Sequence, residues 1–114
     1  MSERSGYQFV VTMDVDPEKE PLFNDIYDNE HIPHLMKVPG MRSATRLVGM
    51  PGQLGTKTFG APDLRYMAIF DIDHPDVLIT PTHGNAVEAG RWANEVRPFT
   101  INRTHRLYKV ISRF

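Results

Sequence analysis

Hydrophobic and polar positions alternate along the start of the chain. Tyr7, Phe9, Val11, Met13 and Val15 interleave with Gln8, Thr12 and Asp14, the two-residue period of a β-strand. Val10, on the second side, predicts that both strand faces are at least partly covered. Asp16-Pro17-Glu18 then reads as a helix start, with Asp16 as N-cap, Pro17 at the first position and acid near the positive end of the helix dipole. Pro21 delays the regular helix. At 100° per residue, Phe23, Ile26, Tyr27, Glu30 and His34 share one side of it. Pro33 has no amide hydrogen for the carbonyl four residues back, which predicts a kink or break near His31.

Pro39-Gly40 ends this element, and a second strand is predicted over 41–48. Residues 50–62 are rich in glycine and proline and read as a long loop, a length more often functional or mobile than accidental. A third strand follows over 66–72, with Tyr66, Ala68, Phe70 and Ile72 on one face. A broken helix is expected over 75–96, interrupted at Thr80-Pro81, and a last strand over 100–112. No internal repeat is expected. The order β-α-β-β-α-β predicts an α+β, ferredoxin-like fold, a four-stranded antiparallel sheet with both helices on one face. One domain is expected over 7–114 behind a flexible leader over 1–6. The helix-free face of the sheet carries apolar residues and calls for a cover, most simply a second copy of the chain.

Composition narrows the function classes. Thirteen Lys and Arg against fourteen Asp and Glu leave a formal charge of −1, without the basic excess that meets phosphates, so no nucleic-acid partner is expected. With no cysteine, disulfides, thiolate metal sites and thiol nucleophiles are excluded. No apolar run approaches a membrane span, and the first residues lack a signal-peptide core; a cytoplasmic protein is expected, with no membrane partner. No phosphate loop or G-x-G-x-x-G segment supports nucleotide chemistry.

The segment Tyr27-Asp28-Asn29-Glu30-His31-Ile32-Pro33-His34-Leu35, followed by Val38-Pro39-Gly40-Met41 and Arg46, resembles the EthD-like, stress-responsive branch of the dimeric α/β-barrel superfamily. Tyr66-Met67-Ala68-Ile69-Phe70 resembles the third strand of that group. Trp92, Arg97-Pro98, Asn102, Arg106 and Tyr108 resemble its closing segment. The likeness spans about 7–114, leaving the 50–62 loop unmatched. It implies a homodimer whose sheets face each other as a barrel, with a small-molecule cleft between sheet and helices in each subunit. It does not single out a reaction, because the superfamily includes polyketide cyclases, cofactor-free and haem-linked monooxygenases, lactone isomerases and chlorite dismutases.

His31 matches the helix-borne His of that group, and a His at the mouth of an apolar cleft can exchange protons near neutral pH. The competing reading is a structural His bonded to a carbonyl that Pro33 frees. Glu30 and His34, at i and i+4, can pair on the cleft side or form a surface ion pair at the helix end. His31 and His34 find no third metal ligand at a convincing spacing, so no metal site is expected. Tyr66 can offer its hydroxyl to a carbonyl or enolate, or serve as an ordinary strand residue. Trp92 can wall the cleft or fill the core; Tyr27 and Phe70 are further candidate walls. His83 is expected near a lid but exposed, and His105 at an interface. Arg46 and Arg106 can anchor a carboxylate or pair with Asp71 or Asp73 within the sheet, and the structural pairing is the expectation.

The reading that follows is a small dimer binding an apolar, aromatic or polyketide-like molecule. His31, with Tyr66 or His34 assisting, would transfer protons in cofactor-free lyase, isomerase or cyclase chemistry, with Tyr27, Glu30, Phe70 and Trp92 binding substrate. The alternatives are a non-catalytic ligand-binding or stress-response module, and a monooxygenase acting on an electron-rich aromatic.

Overall fold

The computed structural model describes residues 6–60 and 65–114, so the leader expected over 1–6 lies, but for Gly6, outside the described residues. Among the described residues six strands follow one another: β1 (Tyr7–Val15), β2 (Met41–Val48), β3 (Gly52–Leu54), β4 (Lys57–Phe59), β5 (Tyr66–Ile72) and β6 (Thr100–Lys109). Four of them form one antiparallel sheet in the order β2-β5-β1-β6, the ferredoxin-like arrangement. The 50–62 loop is not structureless: β3 and β4 pair as an exposed hairpin within it. β6 ends three residues short of the predicted boundary, and Ile111 beyond it is exposed.

The helices α1 (Glu20–Ile26), α2 (Ile32–Leu35) and α3 (Pro81–Glu88) lie with their connecting turns over one face of the sheet. The core forms between them. Val11, Met13 and Val15 of β1 and Tyr66, Ala68, Phe70 and Ile72 of β5 pack against Phe23, Ile26, Tyr27, Leu35, Trp92 and Val96. The residues that alternation groups on one face, Tyr66, Ala68, Phe70 and Ile72 among them, are the ones that face the helices. Val10 and Thr12, buried on the central strand, belong to the opposite face.

Each helical region carries a widened turn just before a proline. Asp16 caps the first region, its carboxylate accepting the Glu18 amide at 3.0 Å, and a short 3-10 turn (Pro17–Lys19) leads into α1. The break expected near Pro33 takes the form of a π turn, Tyr27–His31, closed by the Ile32 amide donating to the Tyr27 carbonyl five residues back. In the second region a 3-10 turn (Pro75–Ile79) ends at the extended Thr80. The Thr80 hydroxyl caps α3 by accepting the His83 amide at 3.1 Å. A second π turn, Trp92–Val96, is closed by the Arg97 amide on the Trp92 carbonyl, one residue before Pro98. Proline, lacking an amide hydrogen, cannot continue the four-residue ladder, and the preceding amide reaches one residue further back. Gly40 makes the sharp exit from α2 possible: at φ 94° a side chain there would sit 2.4 Å from the Val77 methyl.

Candidate functional site

The two π turns meet above the sheet and bring three rings together. Tyr27 and Trp92, each the first residue of its turn, stand edge to face at 5.0 Å. His31 stacks on Trp92 at 4.3 Å with the planes 18° apart, and meets Tyr27 edge-on at 5.2 Å. The wide turn carries His31 to the buried side, so the face that packs inward is Phe23, Ile26, Tyr27, His31 and Leu35. Glu30 and His34, predicted on that face, fall to its flank. Glu30 accepts the Arg91 amide at 3.1 Å and its guanidinium at 2.7 Å. This clasp ties the first π turn to the residue that precedes the second. Gly90 leaves room for it, since a side chain at φ 71° would meet the Glu30 carboxylate at 3.0 Å and the His34 ring at 3.1 Å.

Between this cluster and the sheet lies a cavity of about 130 Å³, lined by Phe9, Val11, Met13, Tyr27, His31, Leu35, Phe70, His83, Val87, Trp92, Arg103 and His105. His31, Tyr27, Phe70 and Trp92 therefore share one cavity, while Glu30, His34 and Tyr66 stand outside its lining. His31 is 6% exposed, and its Nδ1 is buried without a hydrogen-bond partner among the described residues. Burial first, then the positive fields of His34, Arg97 and His83, pushes its pKa down to about 4, so the imidazole is neutral at pH 7. No freed carbonyl holds it, as the structural reading required. The Nδ1 of His34 is likewise buried and unpartnered. Burial pushes the Tyr27 phenol up to about 12 and keeps it protonated.

Tyr66 belongs to a different place. Phe23 packs on its ring at 4.8 Å, and its hydroxyl donates to the Glu20 carboxylate at 2.5 Å. Burial and this bond raise its pKa. It lines an open groove of about 400 Å³ with Glu20, Asn24, Arg46, Leu47, Val48 and Arg65. The polar walls of that groove are tied to one another or to neighbours: Arg65 to Glu20 at 2.7 Å, Arg46 to Asn24 at 2.8 Å and to Asp28 at 2.9 Å. Arg46 also lies over the Tyr27 ring at 4.6 Å. The pairing expected for Arg46 is thus corrected, because it points to the helix side whereas Arg42 takes Asp73, at 2.6 Å.

Two further expectations change. His105, assigned to an interface, lies on the cleft side, stacked on Phe9 at 5.7 Å. His83, expected in solvent, is half-buried in the cavity wall. Burial lowers the pKa of both. Arg103, on the same face of β6 as His105, lines the cavity with it. One sequence signal bears on the site and contradicts the absence of repeats: Tyr27-Asp28-Asn29-Glu30-His31-Ile32-Pro33 and Trp92-Ala93-Asn94-Glu95-Val96-Arg97-Pro98 share aromatic-x-Asn-Glu-x-x-Pro, and both fold as π turns. No group of three or more His, Asp or Glu among the described residues is arranged to hold a metal ion. No helix among them is long and apolar enough to cross a membrane.

By sequence, the chain matches no family model and no curated protein. Its structure is similar to several solved ones. An EthD (ethyl tert-butyl ether D) family protein from Bacillus halodurans aligns with a TM-score of 0.61 at 16% identity, over 92% of this chain and 99% of that one. An EthD-like protein from Ralstonia eutropha aligns with a TM-score of 0.59 at 19% identity, over 95% of each chain. The haem-degrader MhuD from Mycobacterium tuberculosis, with two haems bound in its active site, aligns with a TM-score of 0.60 at 13% identity, over 95% of this chain and 98% of that one. At these identities the likeness is one of fold: this chain has the ferredoxin-like fold of the EthD-family and other dimeric α/β-barrel proteins.

Proposed function

We propose that the chain binds a small aromatic molecule in the cavity beside His31 and transfers a proton on that imidazole, without a cofactor. One observation carries the reading: a buried, neutral His, stacked on Trp92, that lines a cavity walled by Phe9, Phe70 and Trp92. A neutral imidazole can accept a proton, and negative charge developing on the ligand would raise its pKa and favour the transfer. The volume suits one ring, since a dry protein cavity of about 150 Å³ accommodates benzene. A haem, with four pyrroles, exceeds it, and no step is routed through one. Tyr66, bonded to Glu20 and separated by Phe23, serves the architecture, as do Glu30 and His34.

The test is deuterium uptake at the α-carbon of 1-phenylpropan-2-one, a single-ring ketone, followed by NMR. Wild type is expected to accelerate exchange and His31→Phe to abolish the acceleration, with Tyr66→Phe close to wild type. Equal rates for wild type and His31→Phe would refute proton transfer. Ligand binding without turnover is the second reading, and the ring-walled cavity supports it equally; there the same substitution changes affinity alone.

Two copies are proposed to pair through the helix-free sheet face. That face presents Leu47, Met67, Ile101 and Tyr108, each at least 36% exposed, around the buried Val10. Light scattering at micromolar concentration should give twice the 13.0 kDa chain mass, and a monomer would contradict the pairing.

A further inference from the structure

We infer that the ligand of the His31 cavity is a monocyclic aromatic carboxylate, its ring between Trp92 and Phe9 and its carboxylate on Arg103. The inference rests on the ligand-binding reading above and adds the ligand's charge. Three independent features lead to it.

The first is the backbone. Asn102, at φ 55°, is the non-glycine residue with positive φ among the described residues, and it directly precedes Arg103. Here the pairing of β1 with β6 slips: Asp14 faces Ile101, but Thr12 faces Thr104, so two residues of β6 stand opposite Met13. Alternation counted from Thr100, which pairs with the core residue Val15, would send residue 103 to the outer face. The bulge reverses the phase and sets Arg103 and His105 in the cavity wall. Bulges that re-aim a side chain are over-represented beside binding sites.

The second is charge. Among the described residues, no Asp or Glu lines the cavity. Arg42, Arg46, Arg65, Arg91, Arg97 and Arg113 each hold a carboxylate of this chain, whereas Arg103 and Arg106 have no ion pair among the described residues, and of these two it is Arg103 that lines the cavity. The nearby Glu88 is engaged by Arg97 at 2.5 Å. Arg103, an exposed residue of a lining that holds no acid among the described residues, matches a carboxylate, which a guanidinium can bind through two parallel N–H donors.

The third is the rest of the wall. About 130 Å³ bounded by Phe9, Phe70 and Trp92 accepts one flat ring. His83 and His105, held neutral by burial, can donate N–H without contributing an opposing charge.

Benzoate and its neutral analogue benzyl alcohol separate charge from ring recognition. Binding is followed by the fluorescence of Trp92, the single tryptophan, at pH 7. Wild type should bind benzoate at least tenfold more tightly than benzyl alcohol, and added salt should narrow the gap. Arg103→Met should erase the preference while leaving benzyl alcohol affinity within twofold, and Arg103→Lys should restore part of it. Equal affinities in wild type, or a preference that survives Arg103→Met, would overturn the carboxylate assignment and leave the ring cavity standing. Binding of neither probe would overturn both.

Discussion

Protonating His31 should destabilise the fold, and the size of the effect follows from its surroundings. The unfolded chain takes up a proton at the ordinary histidine value of 6.5, whereas the folded chain resists until about 4. Between those values the unfolded state binds the extra proton, so stability rises with pH across the window and is lost as the pH falls through it. Charged or titratable neighbours facing the ring are His34, Arg97, His83 and Glu88; all but Glu88 oppose a positive imidazole. Taking acid from pH 7 to 4.5, nearly two of the intervening pH units act at about 1.36 kcal/mol each, or roughly 2 kcal/mol in all. His31→Phe keeps a ring against Trp92 and removes the titration. Urea unfolding at both pH values, monitored by Trp92 fluorescence, gives the four stabilities needed. The substitution will shift stability at pH 7 through packing, so the quantity that decides is the difference in pH dependence. Wild type should lose roughly 2 kcal/mol more than His31→Phe on acidification. His83 and His105, shifted in the same direction, titrate in both proteins and cancel. Equal losses would mean that His31 is not desolvated, and the argument for its neutral, unpartnered state would fall.

Gly90→Ala should cost about 1–2 kcal/mol in thermal or urea unfolding, because φ 71° strains an L-residue and the added methyl meets Glu30 and His34. Glu30→Gln should weaken the clasp on Arg91 and accelerate amide exchange in both π turns without abolishing folding; unchanged exchange would show that the clasp does not hold them. Trp92→Ala should be the most damaging of these, about 3–5 kcal/mol by urea unfolding, since the ring is 2% exposed and supports His31, Tyr27 and Phe23. Thr80→Ala removes the cap of α3 and should cost about 1 kcal/mol, loosening the helix that carries His83 and Val87 into the cavity wall; thermal unfolding and the dissociation rate of benzoate would both report it.

Local periodicity was sufficient for the four main strands and for grouping their side chains by face, because alternation of Phe9, Val11 and Met13 assigns side chains to faces wherever the backbone stays regular. Asp16 and Pro17 announced a helix start for the same reason, since capping is satisfied within a few residues, whereas Thr80, read as an interruption, proved to be the cap of α3. The hairpin inside the 50–62 loop was missed because glycine and proline mark turns but do not reveal short pairing between them. The site was legible only in part. His31, Tyr27, Phe70 and Trp92 could be named from their segments, yet the inward turn of His31 depends on a π turn that a 100° count does not contain. The repeated aromatic-x-Asn-Glu-x-x-Pro was visible in the sequence, but its meaning emerged only when Tyr27 and Trp92 were seen to meet. Arg103 and His105 were beyond reach of alternation, because the slip at Asn102 reverses the phase of β6 where it crosses Met13. Tyr66 is separated from His31 by two intervening rings, Phe23 and Tyr27, which no spacing along the chain records. The sequence by itself determined the elements and which way most of them face. Tertiary structure decided which titratable groups share a cavity, because that depends on two broken helices and one irregular strand converging from distant parts of the chain.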